Sequence, residues 1–170
     1  MKKKIERNYL EIYSLGDLIE SENPSNEFQI ELIDPPNFQL NKFFYKNIGK
    51  KHSWIDRLTW NEKQWIDYTT NKNIKTYVLK KKEDLVGYFE LLFHDDLNEI
   101  EIAYFGLLEE FHNKKLGSYL LSLAIKKSFL KKPKRVWLHT CSLDHENAIK
   151  NYLARGMQIF KSEKINVEVN

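Results

Sequence analysis

The chain has 170 residues, 42% of them hydrophobic and 14% aromatic, and its 27 Lys and Arg nearly balance its 24 Asp and Glu. That composition excludes a disordered chain and suits one domain over residues 1–170, while no apolar run approaches the ~20 residues of a membrane span. The lone cysteine, Cys141, rules out an intrachain disulfide, and the basic start Met1-Lys2-Lys3-Lys4 lacks a following apolar stretch, so a cytoplasmic location is expected.

The elements follow in chain order. Arg7–Tyr13 partly alternates and predicts a strand, as does Glu27–Ile33 with Phe28, Ile30 and Leu32 on one face. Asp34-Pro35-Pro36 is a turn. Apolar positions 40, 43, 44 and 48 then predict a helix over Phe38–Asn47 that stops at Gly49. Trp54–Leu58 is an aromatic connector. Asn61 is an N-cap for a short helix carrying Glu62, Trp65, Ile66 and Tyr68. Thr76–Leu79 and Leu85–Phe93 flank the turn Lys81–Asp84 as a hairpin, and Ile100–Leu107 is a strand after the polar turn His94–Asn98.

The last third has a different rhythm. Ile100–Leu107, the loop His112-Asn113-Lys114-Lys115-Leu116-Gly117, a helix over Lys114–Leu130, a strand over Arg135–Cys141 and a helix over Glu146–Arg155 ending on Gly156 form a βαβα series. Leu116, Leu120, Leu123 and Leu130 share one side of the long helix, so it packs on a sheet and leaves its N-terminus open. Such an end carries about half a positive charge and suits a phosphate. Strands and two small helices followed by a βαβα unit make a mixed α/β sheet domain. The lysine runs Lys2–Lys4, Lys80–Lys82 and Lys131–Arg135 are solvated turns. Neither a groove-reading helix nor an aromatic platform accompanies them, so nucleic acid is not an expected partner, nor is a membrane.

These residues carry a resemblance to the GNAT superfamily of acyl-CoA N-acyltransferases, in a small bacterial-type branch. In the loop Arg/Gln-x-x-Gly-x-Gly/Ala, His112 occupies the Arg/Gln position, Lys115 the first Gly position and Gly117 the last. Val136–Cys141 followed by His145, Ala148, Tyr152 and Gly156 resembles the family's strand and its Asn-x-x-Ala-x-x-x-Tyr-x-x-x-Gly-Phe, and Gly87–Leu91 with Ala103–Leu107 resemble its central strands. The likeness runs from about Val78 to Met157, the span expected to bind the acyl-CoA. It implies a GNAT fold: a mixed, mostly antiparallel central sheet with one parallel, splayed strand pair, flanked by helices. It also implies acetyl-CoA as cosubstrate, no metal, transfer of an acetyl group to an amine, and a monomer or homodimer. The amine, on a small molecule or on a protein, is not readable.

The resemblance places the cofactor against Phe105, Gly106, Leu107, the loop residues His112, Asn113, Lys114, Lys115, Leu116, Gly117 and Ser118, and then His145, Ala148 and Tyr152. His145 stands where Asn is usual and Met157 where Phe is usual. The loop has a single glycine where the family has several, and Asn113 is the residue suited to a left-handed conformation.

For catalysis the resemblance implies Glu101 as the base that deprotonates the amine, with Glu90 as the other candidate. It implies the Leu107 N–H as oxyanion donor and Tyr152 as the acid that protonates the leaving sulfur. Strand alternation puts Glu99, Glu101 and Ala103 on one face and Ile100 and Ile102 on the other. Asp56 and Arg57 are acceptor-side candidates. His139, Cys141 and His145 are metal-ligand types, but the likeness puts the thioester end of the cofactor there, and Cys141 is more simply a small strand residue. The competing readings are an inactive acyl-CoA-binding module and a basic nucleic-acid-binding module.

Overall fold

The computed structural model describes residues 1–112 and 114–168. Among these residues seven strands form one sheet: β1 (Lys2–Ile12), β2 (Phe28–Leu32), β3 (Ile74–Lys81), β4 (Asp84–His94), β5 (Glu99–Leu107), β6 (Arg135–Cys141) and β7 (Gln158–Glu168). The order across the sheet is β2-β3-β4-β5-β6-β1-β7. Pairing is antiparallel except between β5 and β6, which are parallel. The helices are α1 (Phe38–Gly49), α2 (Glu62–Thr69), α3 (Leu116–Phe129) and α4 (Ala148–Ala154).

The alternating apolar residues of the strands sort the helices onto two faces. Leu10 and Ile12 of β1, Phe89 and Leu91 of β4, Ile100 and Ile102 of β5 and Val136 and Leu138 of β6 bury against Leu116, Leu120, Leu121, Ala124 and Ile125 of α3. Tyr152 and Met157 close that layer. On the opposite face Phe44 and Ile48 of α1 pack on Val78 and Tyr88, with the Phe44 and Tyr88 rings stacked at 4.8 Å. Asn37 caps α1 by accepting from the Gln39 N–H, and Asn61 with Gln64 closes a capping box on α2, which fixes both helix starts.

β1, β7 and α3 depart from expectation. β1 begins at Lys2 rather than Arg7, because β7 pairs with it from Lys2↔Glu168 to Glu11↔Gln158. β7 itself was not foreseen. Its Ile159, Phe160, Ile165 and Val167 sit among charges, and as an edge strand it stays mostly exposed, so burial does not force a clean alternation. α3 begins at Leu116 rather than Lys114, because Lys115 is left-handed (φ 60°, ψ 11°) and cannot belong to a right-handed helix. Asn113, expected to be the left-handed residue, lies outside the described residues.

Gly156 ends α4 with φ +101°, and a Cβ there would lie 2.2 Å from the carbonyl oxygen of Asp17. The strain and the clash act together. Gly156→Ala should lower stability by roughly 2 kcal/mol or more in urea unfolding, whereas Gly16→Ala, with its nearest contact at 3.7 Å, should fall far below that.

Candidate active site

The site begins where two parallel strands part. β5 pairs with β6 from Glu99↔Arg135 to Glu101↔Trp137, and the ladder stops there. Two residues later β5 carries a bulge: Leu91 pairs with Ile102 and Glu90 with Tyr104, leaving Ala103 without a partner. The extra residue bends the strand and reverses the alternation beyond it. Phe105 and Leu107 therefore join the α3 core, while Tyr104 joins Glu99 and Glu101 on the α1 side. A cavity of about 890 Å³ runs through the opening.

The bulge also sets the backbone. The Leu108 N–H bonds the Val86 carbonyl on β4 at 2.9 Å. Alternation along the strand then turns the Leu107 N–H and carbonyl the other way, into the opening. His112 Nε2 lies 3.1 Å from that Leu107 carbonyl.

The predicted loop residues separate by orientation. His112, Lys115, Gly117 and Ser118 line the cavity. Leu116 is fully buried in the core, and the Lys114 ammonium sits over the Phe111 ring at 5.6 Å. Lys115 offers no side-chain cap to α3, so among the described residues the first N–H groups of that helix have no side-chain partner. A Cβ on Gly117 would meet nothing nearer than 3.8 Å, so packing does not require glycine there; it leaves space at a helix N-terminus, where an anion is favoured. Gly106 also lines the cavity, but it must be glycine for another reason. A Cβ would lie 2.6 Å from Ile48 of α1.

Phe105, Ala148 and Tyr152 complete this wall, with the Tyr152 ring edge-on to Phe105 at 6.3 Å. Burial, and then the nearby Asp144, raise the Tyr152 phenol above its ordinary pKa, so it holds its proton throughout the neutral range. Asn151, absent from the sequence-based reading, ties α4 to α3 by donating to the Gly117 carbonyl at 3.1 Å. Among the described residues its buried Oδ1 has no partner. The signal was its place beside Tyr152 on the same helix. His145 meets His112 edge-on at 5.5 Å and His52 at 6.5 Å. His139 and Cys141 line the cavity from β6. Burial, reinforced by Asp144, raises the Cys141 pKa, which disfavours the thiolate a nucleophile needs. Among the described residues no cluster of three His, Cys, Asp or Glu side chains is placed to hold a metal ion.

The two candidate bases have different surroundings. Glu101 lines the cavity and lies 3.0 Å from His94 Nε2, whose ring stacks on Trp137. Glu90 is wholly buried and saturated: it accepts from Asn41 at 2.8 Å, from Tyr68 at 2.8 Å and from Arg57 at 3.1 and 3.2 Å. The Arg57 guanidinium lies within 6 Å of the rings of Tyr45, Trp60, Trp65, Tyr68 and Tyr104. Glu90 and Arg57 thus hold the helices α1 and α2 and their connector to the sheet. Asp56 is exposed at the cavity's rim. Arg57→Met would strand the Glu90 carboxylate in an apolar setting and should cost about 3–5 kcal/mol in denaturant unfolding. Adding Glu90→Gln should recover much of that loss, since no buried charge is then left unpaired.

Comparison with known proteins bears on this arrangement. The model of the acetyltransferase (GNAT) family matches residues 33–157. Among solved structures, a functionally unknown conserved protein from Staphylococcus epidermidis superposes with a TM-score of 0.66 at 19% identity, over 97% of this chain and 61% of its own. A GCN5-related N-acetyltransferase from Kribbella flavida gives 0.67 at 15% identity, over 97% and 58%. An aminoglycoside acetyltransferase from an uncultured soil metagenomic sample gives 0.65 at 11% identity, over 78% and 90%. At these identities the likeness is one of fold. The chain spans about three fifths of the length of the first two. No protein of curated function matches.

Proposed function

The chain belongs to the acetyltransferase (GNAT) family, and on that premise we propose that it moves an acetyl group from acetyl-CoA to a primary amine by direct attack in a ternary complex. The observation that carries the reading is the opening between β5 and β6. It joins an uncapped helix N-terminus, an inward-turned backbone N–H, a buried phenol and a carboxylate in one cavity.

The residues present fit acetyl-CoA, with the start of α3 and the space at Gly117 for its pyrophosphate and the Phe105 wall for its thiol arm. When bound it supplies an acyl group activated as a thioester. The chain's own residues do the rest. Glu101 takes the proton that an ammonium of pKa ~10.4 must lose before its nitrogen can attack. The Leu107 N–H faces the oxygen on which negative charge builds, and a preorganised donor in a water-poor cleft is an effective stabiliser there. Tyr152 holds a proton for the departing sulfur. Asn151 keeps Tyr152 and Gly117 in register by joining their helices.

The test is a turnover assay with acetyl-CoA and a broad amine panel, beside a thermal-shift panel of acetyl-CoA, CoA, longer acyl-CoAs and an oligonucleotide. Stabilisation by CoA without acetylation of any amine would leave an acyl-CoA-binding module. Stabilisation by the oligonucleotide alone would leave a nucleic-acid-binding module.

Two variants probe the assigned roles. Tyr152→Phe keeps the ring against Phe105 and removes the hydroxyl. Its kcat should fall ten- to a hundredfold, roughly 1.4–2.7 kcal/mol of barrier, with acetyl-CoA affinity and Tm nearly unchanged. Glu101→Gln should lower kcat/KM roughly a hundredfold at neutral pH. That deficit should shrink as pH rises, because the free amine becomes abundant without a base. A constant deficit across the pH profile would make Glu101 a positioning carboxylate instead.

A further inference from the structure

The wall of the cavity formed by β1 and β6 contains a cation that the described residues leave unsatisfied. Arg7 lines the cavity from β1, next to His139 and Cys141 of β6. Among the described residues its buried Nε has no hydrogen-bond partner, and none of them forms an ion pair with it. Arg7 is half-buried and reaches Glu163 only through space, behind the Tyr9 hydroxyl and Lys161 among the causes that lower that carboxyl's pKa; a guanidinium whose buried Nε lacks an acceptor is completed by a ligand that brings one.

The nearby carboxylates are already engaged. Glu163 stands directly opposite Arg7 on β7, but it accepts from the Tyr9 hydroxyl at 2.7 Å and pairs with Lys161 at 3.6 Å. Asp144 accepts from the Thr140 hydroxyl and from the Cys141 N–H at 2.9 Å. Glu11 belongs to Arg135. The charge of Arg7 is felt inside the cavity: burial, and then Arg7, lower the pKa of His139, against the smaller pull of Glu101, Asp144 and Glu163.

The register sets where this cation stands relative to the base. Glu101 is level with Trp137, and Arg7 with Cys141. Odd-numbered residues of β6 share a face, so Glu101, His139 and Arg7 line one floor across three adjacent strands. A carboxylate that removes a proton from an ammonium stands at one end, and a guanidinium shaped to grip a carboxylate stands at the other. We infer that the acceptor is an amine that also carries a carboxylate, as an amino acid or a peptide ending in lysine does, with Arg7 holding the carboxylate while the amine faces Glu101. This rests on the acetyl-transfer reading for its chemistry but not for its binding step.

Binding is therefore tested apart from turnover. N-acetylglycine, N-acetylphenylalanine and Nε-acetyl-lysine, each beside its carboxamide, are titrated calorimetrically into the CoA-loaded protein. The carboxylates should bind at least tenfold tighter than the amides, about 1.4 kcal/mol. The preference should vanish in Arg7→Gln and persist in part in Arg7→Lys. In turnover, an amino acid should exceed its decarboxylated amine at least tenfold in kcat/KM, and Arg7→Gln should erase that ratio. Equal binding of carboxylates and amides to wild type overturns the inference and needs no variant. So does a preference that survives in Arg7→Gln, or one that tracks the donor, with succinyl-CoA favoured over acetyl-CoA and acceptors undiscriminated. Selective carboxylate binding without acetylation of any amine would sink the transferase reading and leave the role of Arg7 standing.

Discussion

β5 and β6 pair as parallel strands from Glu99 to Glu101 and then separate, and the chemistry proposed for this protein depends on that separation. A continuous ladder would have used the Leu107 N–H for β6 and closed the cavity. The bulge at Ala103 turns β5 away, and β1 holds the other edge of β6 from Ile12↔Val136 to Arg7↔Cys141. β6 is thus kept straight by an antiparallel neighbour while β5 bends. The opening is a consequence of register, and α3 stabilises it by burying Phe105 and Leu107 on one side.

Charge in the interior is divided between locked and available groups. Arg57 and Glu90 neutralise one another inside an aromatic enclosure, so they act as a clamp between α1, α2 and the sheet. Glu101, Arg7 and Tyr152 lie along the cavity instead. Their side chains have fewer partners among the described residues, and that is the condition for acting on something else. The same residue types in the two settings have opposite uses, and the deciding variable is how many hydrogen bonds the protein itself provides.

The helix start shows how a glycine-poor loop still leaves an anion site. Lys115 adopts a left-handed conformation that costs a non-glycine residue about 1 kcal/mol. It thereby starts α3 abruptly, with its first N–H groups open, and its ammonium adds a positive charge at the same place. Gly117, the second residue of the helix, leaves the space that an approaching phosphate needs.

Local patterns were sufficient for most elements. Asn61 marks a helix start, alternation marks β2 and β5, the polar turn Lys81–Asp84 marks β3 and β4, and the spacing from His112 to Gly156 marks the βαβα unit, because caps, turns and periodicity act over a few residues. Ile100 and Ile102 fall in the core and Glu101 outside it, as the alternation requires. The rest is long-range. Only β7, far along the chain, extends β1 to Lys2. Only the bulge at Ala103 moves Tyr104 onto the face of Glu101. Only the packing of α1, the connector after it and α2 onto β4 saturates Glu90, and only the pairing of β1 with β6 carries Arg7 to the cavity. Sequence by itself determines which residues are able to form strands, helices and an anion-binding turn, since those are local energies. Which carboxylate is locked and which cation is left over is decided by contacts between residues tens to more than a hundred positions apart, and those exist only once the sheet has closed around them.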